Sequence, residues 1–280
     1  MQTMKELGYL HQGFTTGFDS NTQVRWSFVL DLSAQNEESL LKQMDHQTRW
    51  CVNKTIKQGI KVKALTIEEL PLFMKLMDYA ADTRSFQKLP LSYYEQRMRR
   101  LQEDAFVMVA YLDVQDYIER MEKQLHEEEA ALEKIEAVLA ENENSKKYQK
   151  KRNVQMEAIA TAQRRKKEAL ALQEKHGDEI LLAGAFFLRF EDALIYVSAG
   201  AYDEFKAYNG PYAIHWHMLQ FALKNNIKRY DFYGISGDFS DTAVDHGVFE
   251  FKKGFGGVVE EYIGVFDYPI KKSLYHLVKR

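Results

Sequence analysis

A long stretch without proline or glycine, residues 113–176, constrains this chain more than any other feature. Without such helix breakers the segment permits two long helices. Asn-Glu-Asn-Ser at 142–145 is its one turn-like cluster and lies near the middle. In the first half, apolar residues recur at steps of three and four, or of seven where Glu128 interrupts, which is the spacing of a helical seam: Ile118, Met121, Leu125, Leu132, Ile135 and Leu139. The pattern predicts an antiparallel coiled-coil hairpin.

The charges of the two predicted helices support this hairpin. Residues 113–143 carry 11 acidic and 3 basic side chains, whereas residues 146–175 carry 10 basic and 3 acidic ones. If the second helix folds back on the first, opposite charges meet along the flanks. Polar residues interrupt the seam of the second helix, which runs through Met156, Ile159, Gln163, Lys166 and Leu170. We therefore expect a marginally stable, mobile arm.

Both flanks of the arm alternate between strand and helix patterns. Apolar runs predict strands at 60–65, 106–112, 180–188, 193–197, 229–233 and 258–266. Helical periodicity predicts helices at 39–58, 67–81, 93–101 and 212–224, and Thr66 with Glu69 fits a capping box for the second of these. The sequence therefore indicates an α/β (α+β) fold with a mixed sheet. We expect a first part at 1–112, the arm at 113–178 and a second part at 179–280.

Composition narrows the class of protein. A chain of 280 residues, 45% hydrophobic and 28% charged, is long enough for one or two globular domains. The net charge of −3 does not indicate wholesale nucleic-acid binding, so contact with RNA needs a local patch. The single cysteine, Cys51, excludes internal disulfides and cysteine-based zinc sites. The start lacks an apolar signal-peptide core and no run of 18 apolar residues occurs, so we expect a cytoplasmic protein.

Residues 234–257 combine several glycines with the lysine pair Lys252 and Lys253. One interpretation is an anion-binding loop, in which backbone N–H groups approach a phosphate. The other is a set of turn glycines beside two solvated lysines. The segment matches neither a Walker loop nor a dinucleotide fingerprint.

Short motifs around this segment occur in a fixed order. They are Gly-Pro-Tyr at 210–212, Tyr-Gly-Ile-Ser-Gly-Asp-Phe at 233–239 and Phe-Lys-Lys-Gly-Phe at 251–255. Together with Gly-Phe-Thr-Thr at 13–16, Val-Arg-Trp at 24–26 and the position of the arm, they resemble the Fem (FemABX) family of peptidyltransferases. The resemblance covers nearly the whole chain. It implies a GNAT-like acyltransferase fold around a cleft, with an arm similar to that of tRNA synthetases.

The chain departs from the family at its start. Longer members carry a further N-terminal subdomain that shares the acceptor cleft, whereas here the family pattern begins almost at residue 1. We therefore expect a truncated gene product that lacks most of that subdomain.

The resemblance implies a function. Fem-type enzymes move an amino acid (glycine, serine or alanine) from aminoacyl-tRNA to the stem-peptide amine of a peptidoglycan precursor, either lipid II or a UDP-MurNAc-pentapeptide. This builds the interpeptide bridge of the cell wall. Direct transfer needs no cofactor, and no Ser-His-Asp or Cys-His nucleophile pattern is found in the sequence. A lipid-linked acceptor implies peripheral, transient association with the inner face of the membrane.

The family pattern also suggests site residues. Lys252 is the first candidate, and Lys253 the second, for a catalytic lysine that meets the tRNA terminus and offsets oxyanion charge. Arg84, followed shortly by Phe86, matches a family arginine that grips the phosphate or carboxylate of the acceptor. A surface ion pair is the alternative for Arg84.

Other residues have two interpretations each. Tyr208, Tyr212 and Tyr233 either line the acceptor cleft or serve as ordinary core aromatics. Asp238 either assists proton removal or holds its loop by an Asx turn, and we favour the loop. A basic cluster in the arm either contacts tRNA phosphates or forms a solvated face paired with the acidic helix: Arg164, Arg165, Lys166 and Lys167. His215 and His217, two residues apart on a helix, point to different faces, so we expect no metal site.

Two other functions compete with aminoacyl transfer. An acyl-CoA-dependent N-acyltransferase needs a pyrophosphate loop with a basic residue, which Gly-Pro-Tyr at 210–212 lacks. A truncated, inactive paralogue whose arm binds a partner protein is permitted by the helical seam.

Overall fold

The structure is a computed structural model that describes residues 1–18, 24–84, 88–271 and 274–275. The chain forms two compact units. The first unit contains Met1–Arg49, Phe186–Ser198 and Met218–Arg280, and the second contains Trp50–Ala185 and Ala199–His217. Each unit is therefore assembled from separate stretches of the chain.

The described α-helices are α1 Gln2–Glu6, α2 Glu37–Gln43, α3 His46–Gln58, α4 Leu70–Arg84, α5 Leu91–Leu101, α6 Val114–Glu141, α7 Lys146–His176, α8 Gly210–Lys224 and α9 His246–Lys253. The described strands are β1 Leu10–His11, β2 Trp26–Asp31, β3 Lys61–Ala64, β4 Ala105–Asp113, β5 Glu179–Phe190, β6 Ala193–Ala201, β7 Arg229–Ile235, β8 Val258–Glu261 and β9 Phe266–Asp267. Short 3-10 helices cover Gln102–Asp104 and Asp203–Tyr208.

The strands form two sheets. In the first unit, β1 and β9 make an antiparallel pair, and the larger sheet runs in the order β5-β6-β7-β2-β8. Strand β7 is parallel to β6 and antiparallel to β2, which is in turn antiparallel to β8. Strands β5 and β6 each contribute residues to both units. In the second unit the order is β3-β4-β5-β6, with β3 antiparallel to β4. The predicted α/β class with a mixed sheet and an inserted helical hairpin is confirmed.

The arm consists of α6 and α7. The Asp113 carboxylate caps α6 by accepting the N–H of Asp116 at 3.0 Å, and α7 ends at Gly177, whose φ of +83° favours glycine. The two ends of the arm meet, because the N–H of Val114 donates to the carbonyl of Asp178 at 2.9 Å. The predicted domain boundaries at 112/113 and 178/179 stay a prediction.

Cross-helix ion pairs join the acidic α6 to the basic α7. Lys166 Nζ lies 2.8 Å from a Glu122 carboxylate oxygen, and Arg152 Nε lies 3.1 Å from Glu136. Early residues of α6 pair with late residues of α7, so the two helices are antiparallel.

The seam of α7 differs from its prediction. Met156 and Leu170, expected in the seam, are exposed, whereas Ala162 and Ala169 are fully buried. The periodicity on α7 is carried by small residues, which let two helices approach closely but give a weak hydrophobic signal in the sequence.

Two further elements differ from their predictions. The helix expected at 39–58 is two helices, α2 and α3. The Asp45 carboxylate accepts the N–H of Thr48 at 2.6 Å and so caps the start of the second one. The strand expected at 258–266 is β8 and β9, separated by Gly264 with a φ of +93°.

Each unit has its own core. In the first unit, Phe232 on β7 packs against Phe28 of β2 and Phe255, with ring centroids 6.1 Å and 5.1 Å apart. In the second unit, Gly200 of β6 lies against α4. A Cβ at this position would stand 2.5 Å from the carbonyl oxygen of Leu76, so glycine is required here.

Candidate functional site

Lys252 is a buried lysine in the last turn of α9. Its residue is 4% exposed, and its ammonium donates hydrogen bonds to the carbonyl oxygens of Gly234 at 2.7 Å and Tyr233 at 3.2 Å. Burial lowers the pKa of Lys252 to about 8, against the opposing effect of the negative charges of Asp231 and Asp245. Its ammonium is therefore fixed at the carboxyl end of β7 by two main-chain carbonyls.

The amphipathic pattern of α9 turns Lys252 inward. Phe249, one turn earlier, packs on Phe28 and Phe239, with ring centroids 6.2 Å and 5.4 Å apart. Lys253 points elsewhere: its side chain is more than half exposed and pairs with Glu250 at 2.9 Å. The glycine-lysine segment is thus partly a helix, and Gly247, expected in a loop, lies inside it.

Asp231 binds the backbone of Tyr233, one of the two residues whose carbonyls accept hydrogen bonds from Lys252. It is 6% exposed on β7, and its Oδ1 accepts hydrogen bonds from Ser27 Oγ at 2.5 Å and from the N–H of Tyr233 at 2.8 Å. Tyr233 has a φ of +63°, an uncommon backbone conformation for a bulky residue. The carboxylate therefore stabilises the strained residue whose carbonyl binds Lys252.

Asp245 fixes the end of the same segment. This buried carboxylate accepts the N–H of Ser236 at 2.7 Å and the Ser236 hydroxyl at 2.5 Å. Residues 233–236 are consequently held by one buried carboxylate at each end, with Lys252 bonded to the first two carbonyls. Such preorganised polar groups at a strand end are typical of active sites.

A cavity of about 520 Å³ opens beside this segment, within the first unit. Its polar and aromatic lining includes Arg25, Trp26, Ser27, Asp231, Tyr233 and Tyr262. The volume suits a small organic ligand. Among the described residues that line the cavity, Asp231 is the one acid and Arg25 the one strong base.

Both of these charged residues have partners. Arg25 makes an ion pair with Glu261 and lies over the ring of Trp26, 5.0 Å from its centroid. Asp231 Oδ2 accepts a bond of 3.2 Å from Arg229, which also binds both oxygens of Glu260 at 2.8 Å. Arg229 thus shares one positive charge between two carboxylates.

Asp238, also in the first unit, has an exposed side chain, and its N–H donates to the Ser236 hydroxyl at 3.1 Å. Its Oδ1 accepts the N–H of Ser240 at 3.0 Å, and this hydrogen bond lowers the pKa of the Asp238 carboxyl. The contact is the Asx turn that the sequence favoured.

The remaining predicted residues lie in the second unit. Arg84 is exposed and pairs with Asp203 at 3.6 Å, while Phe86 lies outside the described residues. Tyr208 packs edge-on against Tyr117, and burial raises the pKa of Tyr208 to about 12. Tyr212 is half-buried in the first turn of α8.

Two residues of the basic cluster form ion pairs within the arm, and the other two differ in exposure. Lys166 pairs with Glu122 across the hairpin at 2.8 Å, and Arg164 pairs with Glu168 along α7 at 3.8 Å. Arg165 is half-buried, whereas Lys167 is exposed. Part of the cluster therefore serves the arm itself.

Sequence reasoning missed Asp231, Asp245 and Ser27. One signal was available for Asp231, because a charged residue inside the apolar strand 229–233 needs a buried partner or a function. Among the described residues, no group of three or more His, Cys, Asp or Glu could hold a metal ion. None of the described helices is long and apolar enough to cross a membrane.

Comparison with known proteins identifies the family. The family model described as "FemAB family" matches residues 1–280. The chain is 35% identical over 280 residues to the aminoacyltransferase FemA of Staphylococcus epidermidis (strain RP62A), covering 99% of this chain and 66% of that protein. It is also 35% identical over 277 residues to FemA of Staphylococcus aureus (strain MRSA252), covering 97% of this chain and 65% of that protein. The chain thus spans just under two thirds of the length of these relatives.

A solved structure agrees with this relationship. The crystal structure of FemX superimposes with a TM-score of 0.86 at 27% identity, covering 100% of this chain and 70% of that one. The fold with its inserted helical hairpin is therefore shared with FemX. The chain belongs to the FemAB family.

Proposed function

We propose that the chain is an aminoacyltransferase that moves glycine, serine or alanine from aminoacyl-tRNA to the stem-peptide amine of a peptidoglycan precursor. Membership of the FemAB family supports the proposal, as does the name aminoacyltransferase carried by the relatives. In the reaction the amine nitrogen forms a bond to the ester carbonyl, and the carbonyl loses its bond to the tRNA 3′ oxygen. The amine gives up a proton, and the leaving oxygen takes one.

The observation that carries the proposal is Lys252, fixed on the carbonyls of two residues that line the cavity. Tyr233 and Gly234 both belong to the cavity wall and both accept bonds from this ammonium. A positive charge in a low-dielectric site stabilises a developing oxyanion far more than the same charge in water. In this proposal Lys252 acts from beneath the wall and is not an exposed contact for phosphate.

The two substrates engage different residues. We assign Arg84 to the acceptor's phosphate or carboxylate, because its pair with Asp203 at 3.6 Å is exposed and exchanges easily. On the arm, Lys167 is the exposed candidate for tRNA phosphates, and Lys166 is engaged by Glu122. A lipid-linked acceptor would bring the protein to the inner face of the membrane transiently.

The test is transfer of a radiolabelled amino acid from charged tRNA to a UDP-linked or lipid-linked muropeptide. We expect transfer by the unaltered chain and a loss of at least about 100-fold in Lys252→Ala. Lys253→Ala, which removes an exposed neighbour of the same type, should lose less than about fivefold. Equal losses of transfer in both variants would contradict the role assigned to Lys252.

The same assay separates the competing functions. Transfer from an acyl-CoA donor, with none from charged tRNA, would replace the proposal by an acyl-CoA-dependent N-acyltransferase. No transfer from either donor and no binding of the muropeptide would favour a partner-binding role for the arm.

A further inference from the structure

The chemistry of the cavity in the first unit points to a particular ligand group. We propose that this cavity binds a primary ammonium group, with Asp231 as its counter-ion and Trp26, Tyr233 and Tyr262 as its aromatic walls. This proposal assigns the group that the cavity binds. The proposed role of Lys252 is a different one, the stabilisation of the oxyanion that develops during transfer.

Asp231 has the charge and the acceptor capacity that an ammonium needs. A carboxylate offers about four acceptor positions. Three donors are in contact with Asp231, namely Ser27 Oγ, the N–H of Tyr233 and the Arg229 guanidinium. About one position therefore remains, on the Oδ2 atom whose bond to Arg229 is the longest of the three at 3.2 Å.

The charges around Asp231 leave it available to a cation. Arg229 is held more closely by Glu260, at 2.8 Å to each oxygen, so one guanidinium faces two carboxylates. Arg25 is neutralised by Glu261. Lys252 offsets part of the remaining negative charge at a distance, because its ammonium is bonded to the carbonyls of Tyr233 and Gly234.

The walls favour an organic cation over a neutral ligand. Aromatic faces attract ammonium groups through their quadrupoles, and the attraction grows when the site is desolvated. Trp26 is the aromatic wall residue on β2, next to Ser27, whose hydroxyl is bonded to Asp231. Aromatic lining residues beside a single buried acid are the arrangement expected for a primary amine.

Two sources supply such a group, and naming them rests on the proposed function. The aminoacyl donor carries an α-ammonium beside its ester, and the acceptor carries a lysine ε-ammonium. Glycinamide represents the first group and Nα-acetyl-lysine methylamide the second. Their neutral counterparts are glycolamide and Nα-acetyl-norleucine methylamide.

The experiment measures the dissociation constants of these four probes for the full chain by titration calorimetry at pH 6.5, where both amines are protonated. We expect at least one ammonium probe to bind at least about tenfold more tightly than its neutral counterpart. The preferred pair identifies the donor or the acceptor as the source. Equal affinities within both pairs would overturn the proposal.

Three variants test the assignment to this cavity. Asp231→Asn should abolish the preference for ammonium, and Tyr262→Leu, at a residue that is 46% exposed, should reduce it about threefold. Asp241→Asn removes an exposed acid of the same unit outside the cavity and should leave the preference intact. A preference that survives in both cavity variants would contradict the assignment. Because binding is measured without turnover, a chain that binds amines but transfers nothing would contradict only the proposed function.

Discussion

The carboxylate of Asp231 accepts a hydrogen bond of 2.8 Å from the N–H of Tyr233, a tyrosine whose φ is +63°. A left-handed backbone costs a non-glycine residue about 1–3 kcal/mol, so the surrounding contacts must maintain it. Here they turn the Tyr233 carbonyl toward Lys252 at 3.2 Å. Strain at this residue is thus tied to the position of the buried lysine.

Replacing Tyr233 by glycine isolates this strain. Tyr233→Gly and Tyr233→Ala both remove the ring. The positive φ at this position is unfavourable for alanine but not for glycine. The excess flexibility of unfolded glycine works in the opposite direction. We expect Tyr233→Gly to exceed Tyr233→Ala by about 1 kcal/mol in free energy of unfolding, measured with urea. A less stable glycine variant would show that the strain at 233 is smaller than the cost of the extra flexibility of unfolded glycine.

Lys252 should make stability depend on pH in the alkaline range. Its pKa is lowered to about 8 in the folded chain, from 10.5. Between these values the unfolded chain binds more protons, so the free energy of unfolding rises with pH. Below pH 8 the lysine is charged in both states, and folding bears the full penalty of burying that charge.

The matched reference for this pH dependence is Lys252→Met, which keeps the length of the side chain and cannot titrate. From pH 8 to 10.5 the wild type should gain up to about 3 kcal/mol relative to this variant in urea unfolding. Other groups titrate in both proteins and cancel in the difference. A difference that is flat with pH would mean that Lys252 has an ordinary pKa.

The ion pair between Lys166 and Glu122 should contribute modestly to the arm. Both side chains are partly exposed, at 34% and 50%, so water screens their attraction. Lys166→Glu and Glu122→Lys should each destabilise the chain by about 0.5–1 kcal/mol, and the double exchange should recover most of the loss.

Thermal unfolding of the four proteins in this cycle measures the coupling. The pair of Arg164 with Glu168, at 3.8 Å along one helix, is the control and should couple by about 0.3 kcal/mol or less. Equal coupling in the two cycles would argue that Lys166 and Glu122 do not bridge the helices in solution.

Two glycines should respond oppositely to alanine. Gly200→Ala forces a methyl group to 2.5 Å from the carbonyl oxygen of Leu76 and should destabilise the chain by about 1–3 kcal/mol. Gly247→Ala meets nothing within 4 Å inside α9 and should stabilise it by about 0.5–1 kcal/mol. Urea unfolding of both variants checks the pair, and a tolerated alanine at 200 would contradict the close packing against α4.

Elements with a strong local signal were predictable from the sequence. The strands at 106–112 and 180–188 are continuous apolar runs, and the absence of helix breakers from 113 to 176 indicated the arm. Their bounds in the structure, Ala105–Asp113, Glu179–Phe190 and the two helices of the arm, lie within a few residues of those predicted.

Elements fixed by distant contacts were not predictable. Helix α3 begins where it does because Asp45 caps it and because the N–H of Asp45 donates to the carbonyl of Gly254, over 200 residues away. Helix α9 was hidden by glycines that usually mark loops. The network of Ser27, Asp231 and Lys252 joins three separate stretches of chain, which no local pattern reveals.

The bond between Val114 and Asp178 has a consequence for how the arm can change over time. Because the chain leaves the sheet and returns to it at one point, lengthening or shortening both helices by matched turns leaves the registers of β4 and β5 untouched. The arm can therefore vary in reach among related proteins while the rest of the fold is inherited unaltered.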